Sequence, residues 1–127
     1  MYKAEYEKQQ VVSESTAEIL NKMLQNVVRG GTGKSAYING INVGGKTGTT
    51  TGNADNWFVG FTPEYSCAVW HSFSDEGNIA PEIFAKIFKD SVSIKKYYPH
   101  NSDVVSKPYC SVSGKLKSDR CKISNRG

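Results

Sequence analysis

Gly44-Gly45-Lys46-Thr47-Gly48-Thr49-Thr50-Thr51-Gly52 lies near the middle of the chain, and the fold turns on whether it is a strand or a loop that opens a helix. With the residues before it, Gly40 to Thr47 satisfies the phosphate-loop pattern G-x-x-x-x-G-K-[ST]. That loop works when a buried strand leads in and a helix leads out, because the helix N-terminus turns its free N–H groups toward phosphate. Here the way out is three threonines flanked by glycines, which are poor helix formers. No hydrophobic strand ending in a magnesium-binding aspartate stands out downstream. Gly33-Lys34-Ser35 does not rescue the pattern, since the first glycine would have to stand where Val28 does. The β-branched threonines favour extended chain, and a strand is expected over Lys46 to Thr51. Nucleotide binding is left with the literal match alone.

Two more apolar runs follow, the aromatic and β-branched Trp57 to Phe61 and then Ser66 to Phe73. Their links, Thr51-Gly52-Asn53-Ala54-Asp55 and Thr62-Pro63-Glu64, are short and turn-rich, which suits an antiparallel meander. Upstream, Ser15-Thr16-Ala17-Glu18 reads as a capping box. Ile19, Leu20, Met23, Leu24, Val27 and Val28 recur at helical spacing behind it, and Gly30-Gly31 stops the helix. Gly30 to Gly45 reads as loop. A second helix is expected from Pro81, with the stripe Ile83, Phe84, Ile87 and Phe88. The expected class is α+β, a three-stranded antiparallel meander with two flanking helices over residues 1–94. Residues 95–127 show no sustained period and read as an irregular, basic tail.

The 127 residues fit one small domain or part of a larger one, and 38% apolar with 22% charged residues is near the globular average. The net charge of +4 gathers in the tail, where Lys95, Lys96, Lys107, Lys115, Lys117, Arg120, Lys122 and Arg126 face only Asp103 and Asp119. Without interleaved aromatic residues this is a solvated tail rather than a nucleic-acid platform, and no nucleic-acid partner is expected. No stretch reaches the roughly 20 apolar residues of a membrane span, so any anchor is expected outside this chain. Cys67, Cys110 and Cys121 make an odd count, which fits either a reduced protein or one disulfide with a leftover thiol.

Lys46-Thr47-Gly48 also satisfies the lysine-threonine-glycine element of serine acyl-transferases. On a strand, alternation places Thr47 and Thr49 on one face and Lys46 and Gly48 on the other, so two hydroxyls converge on one group, of which a carboxylate is a natural example. Gly48, lacking a side chain, lets a ligand or a neighbouring backbone approach. The tripeptide becomes specific through its ordered neighbours: Gly31-Thr32-Gly33, then Gly45 to Thr50, then Asp55-Asn56-Trp57-Phe58-Val59-Gly60-Phe61-Thr62-Pro63. This ordered set resembles class A penicillin-binding proteins, in the C-terminal part of their transpeptidase domain. The helix Ser15 to Val28, Cys67-Ala68-Val69-Trp70 and the ending Cys110 to Cys121 are similar to that family as well.

The resemblance implies three strands of a five-stranded transpeptidase sheet, in a membrane-anchored extracytoplasmic enzyme that cross-links cell-wall stem peptides by serine acyl transfer. It makes Lys46 and Thr49 catalytic, Lys46 tuning proton transfer and the Thr49 N–H completing an oxyanion hole. It makes Thr47, Gly48 and Thr49 substrate-binding, for a peptidoglycan stem peptide or a β-lactam. No cofactor or metal is implied. The family also uses a Ser-x-x-Lys nucleophile and a Ser-x-Asn element. The latter is absent from the sequence, and Ser93-Ile94-Lys95-Lys96, which has the first spacing, follows the strand where the family's nucleophile precedes it. The chain by itself is therefore expected to be inactive, its parent active, and its uncovered apolar faces suited to dimerisation. A non-catalytic module that binds peptidoglycan or a partner subunit is the alternative.

The extracytoplasmic setting that the resemblance implies would let Cys110 and Cys121 close a disulfide with their Cα atoms within about 7 Å, free thiols being the alternative. Trp57, Phe58, Phe61 and Trp70 read as core, Cys67 as a buried strand residue, Asp55 and Asn56 as turn formers, and His71 and His100 as structural.

Overall fold

A computed structural model describes residues 9–72, 77–90, 97–119, 121 and 124–126. Ser91 to Lys96, with the Ser93 spacing, lies outside the described residues.

Helix α1 (Glu14–Gly30) has its N-cap two residues before the expected one, Ser15. Its N-cap is Ser13, whose Oγ accepts the Thr16 N–H at 3.2 Å, and Glu14 places an acid in the first turn. Glu18, the acid expected to complete a box with Ser15, is engaged elsewhere. It takes Lys22 at 2.9 Å, His100 Nδ1 at 2.8 Å and the Asn101 N–H at 2.7 Å. The far end closes as expected at Gly31, whose N–H donates to Val27 O. A Cβ on Gly31 would stand 2.9 Å from Val27 Cα and O, so only glycine fits this stop.

Strands β1 (Gly44–Thr49), β2 (Asp55–Phe61) and β3 (Ser66–Ser72) form an antiparallel sheet in the order β1-β2-β3. The meander is as expected, with β1 shifted toward the glycines: Thr50 lies beyond the strand and Thr51–Asn53 form one 3-10 turn. Lys46 sits inside a strand with no helix leading out, which removes the geometric basis of a phosphate loop. Register pairs Gly45 with Gly60, Thr47 with Phe58, Trp57 with Trp70 and Asn56 with His71.

Helix α2 (Ala80–Lys89) carries Pro81 in its first turn and packs on β2 and β3, while α1 packs on β1. The core gathers around Phe58 and Phe84, both fully buried, their rings edge to face with centroids 5.2 Å apart. Each such side chain contributes about 2–3 kcal/mol through the area it removes from water. Glycines make the room. A Cβ on Gly60 would stand 2.4 Å from Phe58 Cε1 and 2.8 Å from Phe84 Cε2, and one on Gly45 2.5 Å from Phe58 Cζ.

Alternation corrects the aromatic assignment. Phe58 faces the helices, whereas its neighbour Trp57 and the opposite Trp70 lie on the other face, 42% and 52% exposed, with centroids 6.2 Å apart. Asn56, expected in the turn, is a fully buried β2 residue. The helical stripes are half covered: Val28, Phe84 and Phe88 are buried, but Ile19, Leu20, Met23 and Ile87 are exposed.

The tail is less irregular than its lack of period suggests. Residues 97–101 return to the body, where the Tyr98 hydroxyl donates to Phe61 O at 3.1 Å and Glu18 holds His100, a partner 82 residues away. Burial pushes the Tyr98 hydroxyl up to about 12. Further on, β4 (Pro108–Cys110) pairs antiparallel with β5 (Ser124–Arg126). Three-residue strands are too short to show a period in sequence.

Candidate active-site strand

Lys46, Thr47, Gly48 and Thr49 all lie on β1, an edge of the sheet. Thr47 and Thr49 stand opposite Phe58 and Asn56, on the helix side, and Lys46 and Gly48 opposite Val59 and Trp57, on the other. The two hydroxyl residues therefore share one side of the edge strand and the ammonium residue takes the other. Lys46 Nζ donates to Thr47 O at 3.0 Å, which draws the cation back along its own strand. Thr49 is exposed, and its hydroxyl makes no hydrogen bond to a described residue.

Thr32 is the residue that sequence reasoning passed over as a site component. It follows the α1 stop, and its Oγ1 lies 2.6 Å from Thr47 Oγ1. Two hydroxyls joined by one hydrogen bond use one proton between them and leave the other to donate outward. Thr32 thus fixes the Thr47 hydroxyl and supplies a second one beside it. Its position follows from the glycines on either side, since Gly31 and Gly33 both send their N–H groups to Val27 O, at 3.1 Å each. The Gly31-Thr32-Gly33 triplet was the available signal; that it folds back on β1 was not.

The far end of β1 is tied down by a closed set of bonds. Thr50 N–H donates to Asp55 O at 3.0 Å and Asp55 N–H to Thr50 Oγ1 at 2.8 Å, while Trp70 Nε1 donates to Asp55 Oδ1 at 3.0 Å. Asp55 shapes the turn as expected, and Gly52 within it takes φ 74, a left-handed value that glycine adopts without strain. Asn78, just before α2, was not foreseen. Its Nδ2 donates to Trp57 O at 3.1 Å and reaches Gly48 O at 3.4 Å, and its Oδ1 accepts the Ala80 N–H at 3.0 Å. Beside it His71 bonds Ser72 O through Nδ1 and accepts the Ile79 N–H through Nε2, a structural role as expected. Together Asn78 and His71 couple the start of α2 to all three strands.

A hollow of about 450 Å³ lies between α1 and the returning tail, lined by Glu18, Lys22, Gln25, Arg29, Tyr98 and His100 among others. The residues of β1 present an open edge of the sheet. Among the described residues no group of three or more His, Cys, Asp or Glu stands close enough to hold a metal ion, and no helix is long and apolar enough to cross a membrane.

A three-stranded meander with two helices agrees with the comparisons to known proteins. The penicillin-binding protein transpeptidase domain matches residues 1–89. The chain belongs to that family. It is 35% identical over 104 residues to penicillin-binding protein 1A/1B of Bacillus subtilis, an alignment that covers 62% of this chain and 11% of the relative. Against penicillin-binding protein 4 of the same organism it is 44% identical over 70 residues, 55% of this chain and 11% of the relative. Against penicillin-binding protein 1A of Clostridium perfringens it is 39% identical over 88 residues, 64% and 13%. The aligned part spans about a tenth of these relatives' length.

Proposed function

We propose that this chain supplies the strand-edge half of a peptidoglycan D,D-transpeptidase site, in which a serine ester carries an acyl group from one stem peptide to another. The observation that carries the proposal is the placement of Lys46, Thr47 and Thr49 on an edge strand, with Thr47 held by Thr32 at 2.6 Å. A stem peptide or β-lactam laid along β1 gains main-chain hydrogen bonds as an added strand does, and its carboxylate meets the outward hydroxyl proton of the Thr32–Thr47 pair and the Thr49 hydroxyl. The Thr49 N–H serves as an oxyanion donor, and Lys46 sets the local field in which protons move.

The attacking serine is proposed to come from sequence outside these 127 residues. Transition-state stabilisation lowers a barrier but provides no nucleophile, and Ser-x-Asn, the family's second element, is absent from this chain. The same missing portion is proposed to cover the exposed Ile19, Leu20 and Met23 of α1 and the Trp57–Trp70 face. Its parent is proposed to be extracytoplasmic and membrane-anchored.

The test grafts residues 13–90 of this chain in place of the matching segment of penicillin-binding protein 1A/1B of Bacillus subtilis, and follows acylation by a fluorescent penicillin. The graft acylates, Thr49→Pro in it slows acylation about 100-fold, the cost of removing one oxyanion donor, and Lys46→Ala slows it as well. The chain alone, by intact mass, gains no penicilloyl group. A stable adduct on any serine of the isolated chain, or a graft indifferent to Lys46→Ala, refutes the proposal.

A further inference from the structure

The C-terminal segment holds chemistry that a stem-peptide site does not use. After β4, residues 111–114 make a tight turn, with Gly114 at φ 68 and its N–H donating to Cys110 O at 2.8 Å. The chain then runs back along β4. Cys110 N–H donates to Lys115 O at 2.8 Å, Tyr109 bridges Leu116, and Lys117 N–H donates to Pro108 O at 3.0 Å. Because backbone groups alternate in direction along a strand, Tyr109 is left to face β5, so β4 pairs with β5 on one side and bridges Leu116 on the other. Beyond it, Cys121 N–H donates to Ser118 O at 2.9 Å.

This path brings two thiols together. The Cys121 thiol hydrogen-bonds the Cys110 sulfur, which also meets the Ser113 hydroxyl and the N–H groups of Ser113 and Val112. Donors converging on one sulfur favour its thiolate, and they hold Cys110, led by the Cys121 contact, down to about 6. Cys67 has no share in this: it lies on β3, packed against the Phe58 core.

We infer that Cys110 and Cys121 form a thiol–disulfide couple, a covalent clasp across the small C-terminal sheet, in which Cys110 reacts first and Cys121 resolves. The oxidant is a disulfide, either a small-molecule one or that of an oxidoreductase. The Cys110 thiolate attacks one sulfur of it, forming a mixed disulfide and expelling one thiolate. Cys121 then gives up its proton to solvent and attacks the Cys110 sulfur, expelling the second. Two protein thiols lose two electrons and two protons, and the oxidant leaves as two thiols. The inference is independent of the transpeptidase reading, since it involves neither β1 nor any ligand of it.

The experiment uses the whole chain, purified reduced and equilibrated with mixtures of reduced and oxidised glutathione, then quenched with an alkylating agent and mapped by peptide mass. A Cys110–Cys121 cross-link is expected, the chain about 2 Da lighter, with Cys67 still alkylated. C121S retains a hydroxyl donor but cannot resolve, and stops at a glutathione adduct on Cys110. In C121S at pH 6, Cys110 reacts with iodoacetamide about 10-fold faster than an ordinary thiol, because its larger thiolate fraction outweighs its lower intrinsic nucleophilicity. C110S leaves Cys121 slow at that pH. Three results overturn the inference: cross-links that involve Cys67 as often as Cys121, no cross-link in oxidised glutathione alone, or a cross-link that forms as fast in urea as in the folded chain.

Discussion

Gly45→Ala tests how tightly the site strand is built into the core. The new Cβ would stand 2.5 Å from Phe58 Cζ, 2.8 Å from Val59 O and 3.0 Å from Gly60 Cα. The ring cannot retreat, since Phe58 is fully buried and its own edge meets Phe84. The other two atoms are backbone of β2, so relief requires β1 and β2 to part beside Lys46. Overpacking a filled core costs about 1–3 kcal/mol, and a clash that includes backbone belongs at the top of that range. With an unfolding entropy of about 2.1 cal/mol/K per residue, a loss of about 3 kcal/mol lowers Tm by roughly 10 °C in a chain of this length. Urea unfolding followed by the fluorescence of Trp57 and Trp70 measures it, with Gly30→Ala as reference, because nothing lies within 4 Å of a Cβ there. Phe58→Leu in the Gly45→Ala background removes the ring atom but not the backbone contacts, and recovers only part of the loss. A Gly45→Ala chain within about 1 kcal/mol of the parent, with its β1 amide exchange unchanged, refutes the reasoning.

Glu18 is held down to about 2 by Lys22, the Asn101 N–H and His100. Its contribution is therefore present above the ordinary carboxylate value near 4.5 and is lost as pH falls from there toward 2; amide exchange at Asn101 should rise across that window and become insensitive to it in Glu18→Gln. Asn78→Ala removes the bond to Trp57 O and the cap on Ala80, lowering stability by about 1–2 kcal/mol in urea titration and hastening amide exchange at the start of α2. Thr32→Val in the grafted transpeptidase slows penicillin acylation less than Thr49→Pro but measurably, because the Thr47 hydroxyl loses its fixed partner; an unchanged rate rejects a role for Thr32. ATP with magnesium leaves Tm unchanged, whereas a rise would reinstate phosphate binding at Lys46.

Local rules carried much of the fold. The helical stripes, the Gly30-Gly31 stop, the threonine-rich strand, the turn at Asp55 and the antiparallel meander all follow from neighbours a few residues apart, where sterics and hydrogen-bond reach act directly. The placement of the candidate site residues was legible for the same reason: Lys46, Thr47, Gly48 and Thr49 are contiguous, and alternation alone sorts them between two faces. Other features depend on distant partners. Thr32 meets Thr47 across 15 residues, His100 meets Glu18 across 82, and Asn78 reaches Trp57 across 21. Hydrophobicity could not assign Trp57 and Trp70 to the open face, because a strand buries whichever side the helices happen to cover. The N-cap is Ser13 and not Ser15, and Glu18 bonds the tail through His100 and the Asn101 N–H instead of closing a box. The β4 and β5 strands are fixed by pairing with each other rather than by any pattern of their own. Sequence alone therefore determined the two helices, the three-stranded meander and which residues sit on its edge strand; tertiary contacts decided the small C-terminal sheet and what holds the edge-strand residues in place, since a hydrogen bond across the fold leaves no periodic trace in the chain that makes it.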